Sequence, residues 1–446
     1  MPGFILNPIA NMGTQKEVVP PYIPEYNDIY AASYNLYKVS GSQVGNVTSG
    51  GIVKLSFEGN PNFSFMSQAN ANLNPSEQLK EVRFAGGARD RIVADTRITS
   101  GSTTYRQIRL IDKTTGTVTG SHPIHSDAGG GIYGFDTDTQ EQYVYAYGQS
   151  NMKFDDESDT FIGGLIRMPY NTIDVDLAFT SSIGDGPTNT IGGQQPFIHD
   201  VHVNPNGKIG VCHNGTDWDN NSNKYANFVV LNEDGTVDTT FDFGAKKFTD
   251  QYDTQIQTGA IRSCLWFESG SQGYWMVGGN FQRFDSGSEY QRVMIFDETG
   301  SAVQSFSDFL YSTLNNRHLN SNVRDIEYQD KGIPGGRIGV YGDFAIPGFN
   351  QGVSLNYQGG ALLGFTKQNN SIHKATTEYI NAFGTKTIYM AHIDDEWEFN
   401  DSTVSPADGI GAFVQGTYNS GSFGKVGAGL QTSANGVAEP GSLFLG

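Results

Sequence analysis

The chain has 446 residues, of which 47 are acidic and 28 basic, so its net charge is −19. A chain this acidic repels nucleic acid, and no basic cluster reverses that locally, which argues against sequence-specific binding of DNA or RNA. No apolar run approaches the length of a membrane span, so none is predicted. Glycine contributes 56 residues, aromatic residues make up 12%, and long helix-forming runs are absent, which favours an all-β fold.

Residues 1–27 form a proline-rich segment ahead of the first predicted strand. They contain five prolines and no periodic pattern, which predicts an extended arm in front of one large domain at 28–446. The segment has no basic start and no unbroken apolar stretch, so we predict no secretion signal. Its apolar side chains would be costly to leave in water. We therefore expect the arm to dock on the domain or on a neighbouring subunit through Phe4, Ile5, Leu6 and Ile9.

A thirteen-residue phrase recurs along the rest of the chain. Copies at 53–65, 229–241, 294–306 and 353–365 share an apolar residue at place three, glycine at place seven and phenylalanine at place thirteen. These glycines and phenylalanines are Gly59, Phe65, Gly235, Phe241, Gly300, Phe306, Gly359 and Phe365. Looser copies lie at 108–119, 167–179 and around 430–436. These seven copies of the phrase, at roughly regular intervals, predict an array of similar units rather than one irregular core.

Two further segments precede each phrase. The first has apolar residues three apart, as in Ile198–Val201 and, in the last unit, Ile388–Ala391. The second ends in glycine and a small polar residue, as in Gly279 and Asn280. The phrase adds a third strand, and its turn leads into a fourth stretch that ends at the phenylalanine.

Three or four short strands in every unit of about 60 residues are typical of a β-propeller blade. We predict an all-β fold, a β-propeller of about seven blades, with six as the other possible number. A strand near Ile29–Tyr37 is expected to close the ring by pairing with strands of the C-terminal unit.

One loop contains the residue types of a calcium site. Asp217, Asp219, Asn221 and Asn223 alternate in the one-three-five-seven rhythm of a calcium-binding loop. Ser222 stands at the place usually taken by glycine, and no glutamate closes the loop. A hairpin tip rich in Asn and Asp is the plainer interpretation. Calcium at this loop is the one cofactor hypothesis, and no other cofactor is predicted.

Other reactive residue types give weaker signals. His199 and His202 lie three apart on a predicted strand and point to opposite faces, so they cannot share an ion without a bulge. Cys212 and Cys264 fall in predicted strands of different units, where we expect them to be small buried hydrophobes and not a disulfide framework. The acidic clusters at 155–157 and 394–396 lie among turn residues. Neither G-x-S-x-G nor H-E-x-x-H occurs, so no enzyme is predicted.

The unit between 198 and 248 resembles a known repeat. NPNGKI at Asn204–Ile209, followed by LNEDGTVDTTF at Leu231–Phe241, is similar to the delta-60 repeat, which runs from a P-D-G-K-I-like turn to an L-N-x-D-G-x-x-D-x-x-F ending. In outline the resemblance covers residues 28–436. It implies a β-propeller, and such repeats occur in bacterial surface proteins and in tail proteins of bacteriophages, so the fold alone does not choose a function.

The resemblance, the polar composition, the acidic charge and the predicted lack of an export signal favour a non-enzymatic structural protein of a phage virion. We expect a tail protein, either a nozzle or a receptor-facing appendage, that acts as a rigid platform or annulus with other virion tail proteins as partners. One alternative is a lectin-like adhesin on a bacterial surface, with exposed Trp218, Tyr225 and Phe281 stacking on host-surface glycan. Another is a glycan hydrolase that uses Asp155 or Asp394.

Overall fold

The computed structural model describes most of the chain between residues 28 and 445. The described residues are 28–33, 37–38, 51–56, 62–69, 82–85, 90–100, 103–126, 132–138, 142–150, 152–154, 163–190, 195–219, 225–244, 246–249, 261–269, 271–285, 292–313, 318–328, 337–344, 352–356, 361–365, 372–375, 379–380, 386–392, 397–399, 402–404, 410–417, 420–425, 430–431 and 440–445. The predicted arm, with Phe4, Ile5, Leu6 and Ile9, lies outside them.

Short strands dominate the described residues, which confirms the predicted all-β class. Among the described residues there are three helices, α1 (Phe63–Ala69), α2 (Leu177–Ile183) and α3 (Gln304–Thr313). Within the described part of the chain, no helix is long and apolar enough to cross a membrane.

The strands are listed here in chain order, first those of the N-terminal half. They are β1 (Asp28–Ser33), β2 (Tyr37–Lys38), β3 (Gly51–Ser56), β4 (Val82–Ala85), β5 (Arg91–Ser100), β6 (Thr103–Asp112), β7 (Val118–Ser126), β8 (Ile132–Thr137), β9 (Tyr143–Gly148), β10 (Met152–Phe154), β11 (Leu165–Pro169), β12 (Pro187–Thr190), β13 (Ile198–Val203), β14 (Ile209–His213), β15 (Gly215–Trp218) and β16 (Phe228–Leu231).

The strands of the C-terminal half follow in the same order. They are β17 (Phe248–Thr249), β18 (Ile261–Ser269), β19 (Gln272–Gly279), β20 (Arg283–Phe284), β21 (Val293–Asp297), β22 (Val323–Tyr328), β23 (Arg337–Gly342), β24 (Gly352–Asn356), β25 (Ala361–Phe365), β26 (Ile372–Ala375), β27 (Tyr379–Ile380), β28 (Lys386–His392), β29 (Trp397–Phe399), β30 (Ser402–Val404), β31 (Ile410–Thr417), β32 (Ser420–Lys425), β33 (Leu430–Gln431) and β34 (Pro440–Leu445).

Most strands belong to antiparallel sheets that follow one another along the chain. Sheet 1 has the order β4-β5-β6-β7-β10, sheet 2 β8-β9-β11, sheet 3 β13-β14-β16, sheet 4 β18-β19-β21, sheet 5 β22-β23-β24-β25 and sheet 6 β26-β28-β31-β32, with β27 beside β28. Sheet 7 joins the two ends of the described chain in the order β34-β1-β3. The described residues also form four two-stranded sheets: β2 with β33, β12 with β15, β17 with β20 and β29 with β30.

The first strand of each sheet contacts the first strand of the next. The contacting pairs are β4 with β8, β8 with β13, β13 with β18, β18 with β22, β22 with β26, β26 with β34, and β34 with β4. In sheet 7, β34 pairs antiparallel with β1, and Ala31 lies opposite Leu443. This confirms the predicted pairing between an N-terminal strand and the C-terminal unit.

Sheets 2 to 4 are covered on both faces by hydrophobic clusters that lie between consecutive sheets. In β9, Val144 and Ala146 belong to the cluster shared with sheet 1, whereas Tyr145 and Tyr147 belong to the cluster shared with sheet 3. Similar clusters join sheets 3 and 4 and sheets 4 and 5. Successive side chains of a strand point to opposite faces, so a strand that is covered on both faces needs apolar residues at odd and at even positions. All residues of Phe228–Leu231 are accordingly buried.

Five of the first strands carry a β-bulge at the same place, the second residue of the strand. The ladder shifts between Ile132 and Gly134, Ile198 and Asp200, Ile261 and Ser263, Val323 and Asp325, and Ile372 and Lys374. A bulge leaves one residue out of the ladder and turns its side chain away from the regular alternation. The repeated units are therefore alike in fine backbone detail as well as in strand order.

The prediction for the last unit is wrong by one strand. The bulged first strand of sheet 6 is Ile372–Ala375, and the segment at Ile388 lies in the second strand, β28. The predicted phrase at 430–436 is likewise not the third strand, because Leu430 belongs to β33, which pairs with β2. Apolar residues three apart also occur inside second strands, so this pattern could not distinguish the two.

Two copies of the phrase, 229–241 and 294–306, have the same backbone hydrogen bonds. The backbone amide at place four donates to the carbonyl oxygen at place eight, at 2.7 Å in the first copy and 3.0 Å in the second. The amide at place seven donates to the carbonyl oxygen at place four, at 3.0 and 3.1 Å. The amide of place ten donates to place two at 2.9 Å in both copies. Place seven has a φ of +90° in Gly235 and +86° in Gly300, a conformation that favours glycine.

The phenylalanine at place thirteen is buried wherever its side chain is described. The exposed fraction is 1% for Phe65, Phe179 and Phe241 and 6% for Phe306. The stretch before it is a helix start in three copies, not a fourth strand. Asp176 caps α2 by accepting the Phe179 amide, and Asn62 accepts the Phe65 amide at 3.0 Å. In these two copies the carboxylate or amide at place ten is a good helix N-cap, which favours a helix start.

The copy at 353–365 folds differently, as the hairpin of β24 and β25. Phe365 ends β25 and lies opposite Gly352, so here the phrase does lead into a fourth strand. Gly59 and Gly359 lie outside the described residues.

The glycine turn of one unit packs on the phenylalanine end of the preceding unit. A Cβ atom added to Gly116 would lie 2.4 Å from the carbonyl oxygen of Phe65, and one on Gly235 would lie 2.8 Å from that of Phe179. At Gly300 it would lie 2.9 Å from a backbone nitrogen just after the preceding phrase. The glycine therefore has two reasons to recur, its positive φ and the close approach of the neighbouring backbone.

Candidate functional site

The three aromatic residues proposed for glycan stacking are buried, so that expectation is wrong. Trp218 and Phe281 have no exposed surface, and Tyr225 is 4% exposed. Trp218 lies in β15, which is covered by β12. The Phe281 ring packs 5.0 Å from that of Phe248, in the cluster between sheets 3 and 4. The loops after the second strands fold back on the sheets and carry their aromatic residues inward.

The predicted calcium loop is described in its first half only. Asp217 is 2% exposed and accepts the backbone amide of the next residue at 2.8 Å. Asp219 accepts a backbone amide of the connection between α2 and β12, also at 2.8 Å. Asn221 and Asn223 lie outside the described residues. Calcium binding stays a prediction.

The two histidines of β13 face different neighbours. The bulge removes His199 from the ladder, and its ring lies 4.5 Å from that of Phe197. His202 instead has its Nδ1 3.9 Å from Asp136 Oδ2 and packs edge-on to Trp275. A bulge is therefore present, but it does not turn the two imidazoles towards one ion.

The residues displaced by the bulges form a recurring feature that the sequence analysis missed. In sheets 2 to 5 these residues, called here the bulge row, are Tyr133, His199, Arg262 and Arg324. The Tyr133 hydroxyl accepts from Gln149 at 3.2 Å, and Arg324 Nε donates to Asp343 at 2.7 Å. In both cases the partner follows the second strand of the same sheet. A sequence signal for this row does exist: in each of these first segments a large polar residue directly follows the first apolar residue.

His199 of the bulge row is uncharged at neutral pH. Burial, together with smaller contributions from the neighbouring Arg262 and His213, lowers its pKa to about 3. The row thus offers a phenol, a neutral imidazole and two guanidinium groups at equivalent places, and all of these can donate hydrogen bonds.

A cluster of buried polar atoms lies at the same end of sheet 3. The Gly215 amide donates to His213 Nδ1 at 3.1 Å, so the proton of the neutral ring is on Nε2. Trp218 Nε1 and Asn227 Oδ1 have no hydrogen-bond partner within the described part of the chain. The His213 and Trp218 rings are 5.3 Å apart.

Acid should destabilise the protein through His213. Burial lowers its pKa to about 3, whereas an unfolded histidine has a pKa of about 6.5. Between these values the unfolded chain binds a proton that the folded chain does not, so each such histidine lowers the free energy of unfolding by about 1.4 kcal/mol per pH unit as the pH falls.

The variant His213→Asn keeps an acceptor for the Gly215 amide and removes the titration. We expect its unfolding free energy in urea to fall less steeply with acidification between about pH 6.5 and pH 4, by about 1.4 kcal/mol per pH unit. Identical slopes for the variant and the parent protein would contradict the assignment.

Side chains of the first strands join neighbouring sheets. Asp136, Asp200 and Ser263 each accept a backbone amide from the first strand of the following sheet, at 3.1, 2.9 and 3.1 Å. In sheet 2 the equivalent of Asp200 and Ser263 is Gly134, and a Cβ atom there would meet the Tyr147 hydroxyl. These bonds fix the register between sheets that share no backbone ladder.

Arg167 links sheets 2 and 3 on the side of the phrase turns. It forms an ion pair with Asp176 at 2.6 Å and donates to the carbonyl oxygen of Glu233, while its guanidinium lies 4.7 Å from the ring centres of Tyr143 and Phe179. Burial alone would raise the pKa of Asp176, but the hydrogen bonds from Arg167 and the Phe179 amide outweigh it and lower the pKa. The contact is part of the seam between the sheets.

Known proteins give little guidance to this site. No protein family and no curated protein matches the chain. A hypothetical selenium-binding protein from Sulfolobus tokodaii, among the solved structures, is similar with a TM-score of 0.45 at 10% identity, covering 94% of this chain and 93% of that chain. A similarity of this size indicates neither function nor ligand.

Proposed function

We propose that the chain forms a closed β-propeller of seven blades and serves as a non-enzymatic structural ring in the tail of a bacteriophage virion. Sheets 1 to 7 are the blades of this proposal, and the first strands lie innermost. The propeller would act as a rigid annulus or platform for other tail proteins.

The observation that carries the proposal is the order of contacts between first strands. Starting at β4 and moving to the next sheet each time, the contacts pass through seven sheets and return to β4 by way of β34. Sheet 7 takes its first strand from the C-terminal end and its other two from the N-terminal end. Such sharing protects the edges at which an open array would expose unpaired strands.

Rigidity is supported by the way neighbouring sheets are joined. The seams between sheets 2 and 3 and between sheets 3 and 4 combine an apolar cluster, a side chain bonded to the next first strand, and a glycine turn packed on the end of the preceding phrase. A closed array of such seams resists local opening, because one unit cannot move without disturbing two neighbours.

The assignment to a phage tail draws on the sequence. The delta-60 resemblance restricts the context to bacterial surfaces and phage tails. The net charge of −19 suits an annulus through which DNA passes without sticking. The predicted arm at 1–27 suits assembly with a neighbouring subunit.

Localisation tests this assignment. Native phage particles and host cells would be imaged by electron cryomicroscopy after labelling with antibody against the recombinant chain. We expect label at the virion tail. Label on bacterial cells and none on particles would refute the proposal and support the adhesin or glycan hydrolase instead.

Ring closure is tested separately by cross-linking the chain ends. Ala31 and Leu443 are Cα partners, as are Ala32 and Ser442. Neighbouring partners in an antiparallel pair alternate between wide and narrow spacing, so at least one double cysteine variant has suitable geometry for a disulfide. We expect that variant to form an intramolecular cross-link, seen as altered mobility on a non-reducing gel.

The matched control pairs cysteine at 31 with cysteine at 445, two residues out of register and therefore about 7 Å further along the strand. It should cross-link much more slowly. Equal rates for control and partner pairs, or no cross-link in either partner pair, would contradict closure.

A further inference from the structure

Two cysteines and a carboxylate from three strands meet at the seam between sheets 3 and 4. Asp200 of β13 lies opposite Cys212 of β14, and Cys264 of β18 comes from the next sheet. One ligand atom of each, the two sulfurs and a carboxylate oxygen, lies within 4.8 Å of the others. Both cysteines are buried and free of disulfides, as predicted.

The surroundings of the carboxylate hold it in place. Asp200 Oδ2 accepts the Cys264 amide at 2.9 Å, and Oδ1 accepts the Tyr147 hydroxyl at 3.2 Å. Ligating carboxylates in metal sites are oriented by hydrogen bonds of this kind. Cys264 Sγ lies 3.6 Å from the carbonyl oxygen of Gly210. Phe228 and Trp275 belong to the apolar cluster that contains both cysteines, so water is largely excluded on that side.

We propose that Asp200, Cys212 and Cys264 form a binding site for one zinc-type divalent cation. Two sulfurs with one carboxylate oxygen suit zinc or cadmium, whereas calcium and magnesium take oxygen ligands. Zinc bonds of about 2.3 Å to sulfur and 2.0 Å to oxygen would require the three atoms to approach by roughly 1 Å. On binding, each thiol exchanges its S–H bond for a bond to the metal, and two protons leave to solvent.

Binding at this place would join neighbouring sheets. Asp200 and Cys212 belong to sheet 3 and Cys264 to sheet 4, so one ion would bridge the seam with three bonds. Metal binding displaces the protons of both thiols, so binding is expected to strengthen as the pH rises. The bridging role rests on the proposed structural function, whereas binding itself is measured on the isolated chain and does not depend on where the protein acts.

The probe is cadmium, added to the reduced full-length chain at a mildly alkaline pH. Cadmium bound to thiolate gives an ultraviolet charge-transfer absorption, and elemental analysis after desalting counts the ions. We expect one cadmium per chain, displaced by zinc. We expect no charge-transfer band in Cys212→Ser or Cys264→Ser, and affinity at least tenfold lower in Asp200→Asn.

The matched control is Asp136→Asn. Asp136 accepts the Val203 amide at 3.1 Å in the preceding seam, just as Asp200 accepts the Cys264 amide, but it is not one of the three grouped ligand residues. This variant should bind cadmium like the parent protein. Absence of binding in the parent, or an unchanged band in the cysteine variants, would overturn the proposal.

A second measurement needs no variant, in case the serine variants fail to fold. The reaction of Cys212 and Cys264 with a small aromatic disulfide is followed in mild denaturant with and without zinc. We expect zinc to slow the labelling of both cysteines at least tenfold at saturating concentration. Unchanged labelling would overturn the proposal, whatever the localisation experiment gives.

Discussion

Replacing Phe241 by alanine is expected to lower the free energy of unfolding by about 3 to 5 kcal/mol. The ring is 1% exposed and packs between two sheets, 5.8 Å from the ring centres of both Phe228 and Phe296. Its removal leaves a cavity that the surrounding strands cannot close. Urea denaturation followed by circular dichroism measures the change, and Phe306→Ala should behave similarly because Phe306 occupies the same place in the next phrase.

Phe63→Ala is the matched control for this prediction. Phe63 belongs to the first phrase but is 50% exposed, two places before the buried phenylalanine. Its replacement should change the unfolding free energy by no more than about 0.5 kcal/mol. If Phe241→Ala and Phe306→Ala were as stable as the parent protein, place thirteen would not be a core position and the alignment of the units would be wrong.

Gly235→Ala is expected to destabilise the protein by about 2 to 5 kcal/mol. An L-residue at positive φ costs about 1 to 2 kcal/mol, and φ is +90° here. The added methyl would also lie 2.8 Å from the Phe179 carbonyl oxygen and 3.2 Å from its ring. Relieving that overlap requires a backbone shift between two sheets, which adds about 1 to 3 kcal/mol.

Gly244→Ala separates the two causes. Gly244 has a φ of +70°, and an added Cβ atom has no heavy atom within 4 Å. This control should show the backbone cost alone, about 1 to 2 kcal/mol. Both variants are compared by thermal and urea unfolding. Equal destabilisation by the two would mean that the glycine turn does not press on the preceding phenylalanine end.

Both predictions concern the packing contact between the glycine turn of one phrase and the phenylalanine end of the preceding phrase. The glycine and the phenylalanine recur together in the sequence, but they act on different neighbours. Gly235 contacts Phe179 of the unit before, while Phe241 fills the cluster shared with the unit after. A single phrase therefore stabilises two seams.

Much of the local structure could be predicted because it depends on short-range rules. The positive φ of Gly235 and Gly300 follows from a tight turn after a strand. The burial of both cysteines follows from their position in predicted strands. The assignment of Ile388 to a first strand failed because the apolar spacing of a buried strand is the same in first and second strands.

The burial of the three aromatic residues proposed for glycan stacking could not be predicted, because exposure is not a local property. Each of these aromatic residues comes after a second strand, where the sequence pattern predicts an exposed loop; they are Trp218, Tyr225 and Phe281. The chain folds these loops back, and β12 and β17 pair with β15 and β20 to cover them. The β-propeller with seven blades, the phage tail and the glycan partner stay predictions.

The sequence by itself determined the all-β class and the recurring turn, since these follow from composition and from patterns within about a dozen residues. Only the tertiary structure decided the bulge row, the bonds between first strands and the meeting of Asp200 with Cys212 and Cys264. Asp200 and Cys264 are 64 residues apart in the chain, and no local pattern records which strand faces which across a seam. Packing between the sheets brings them together.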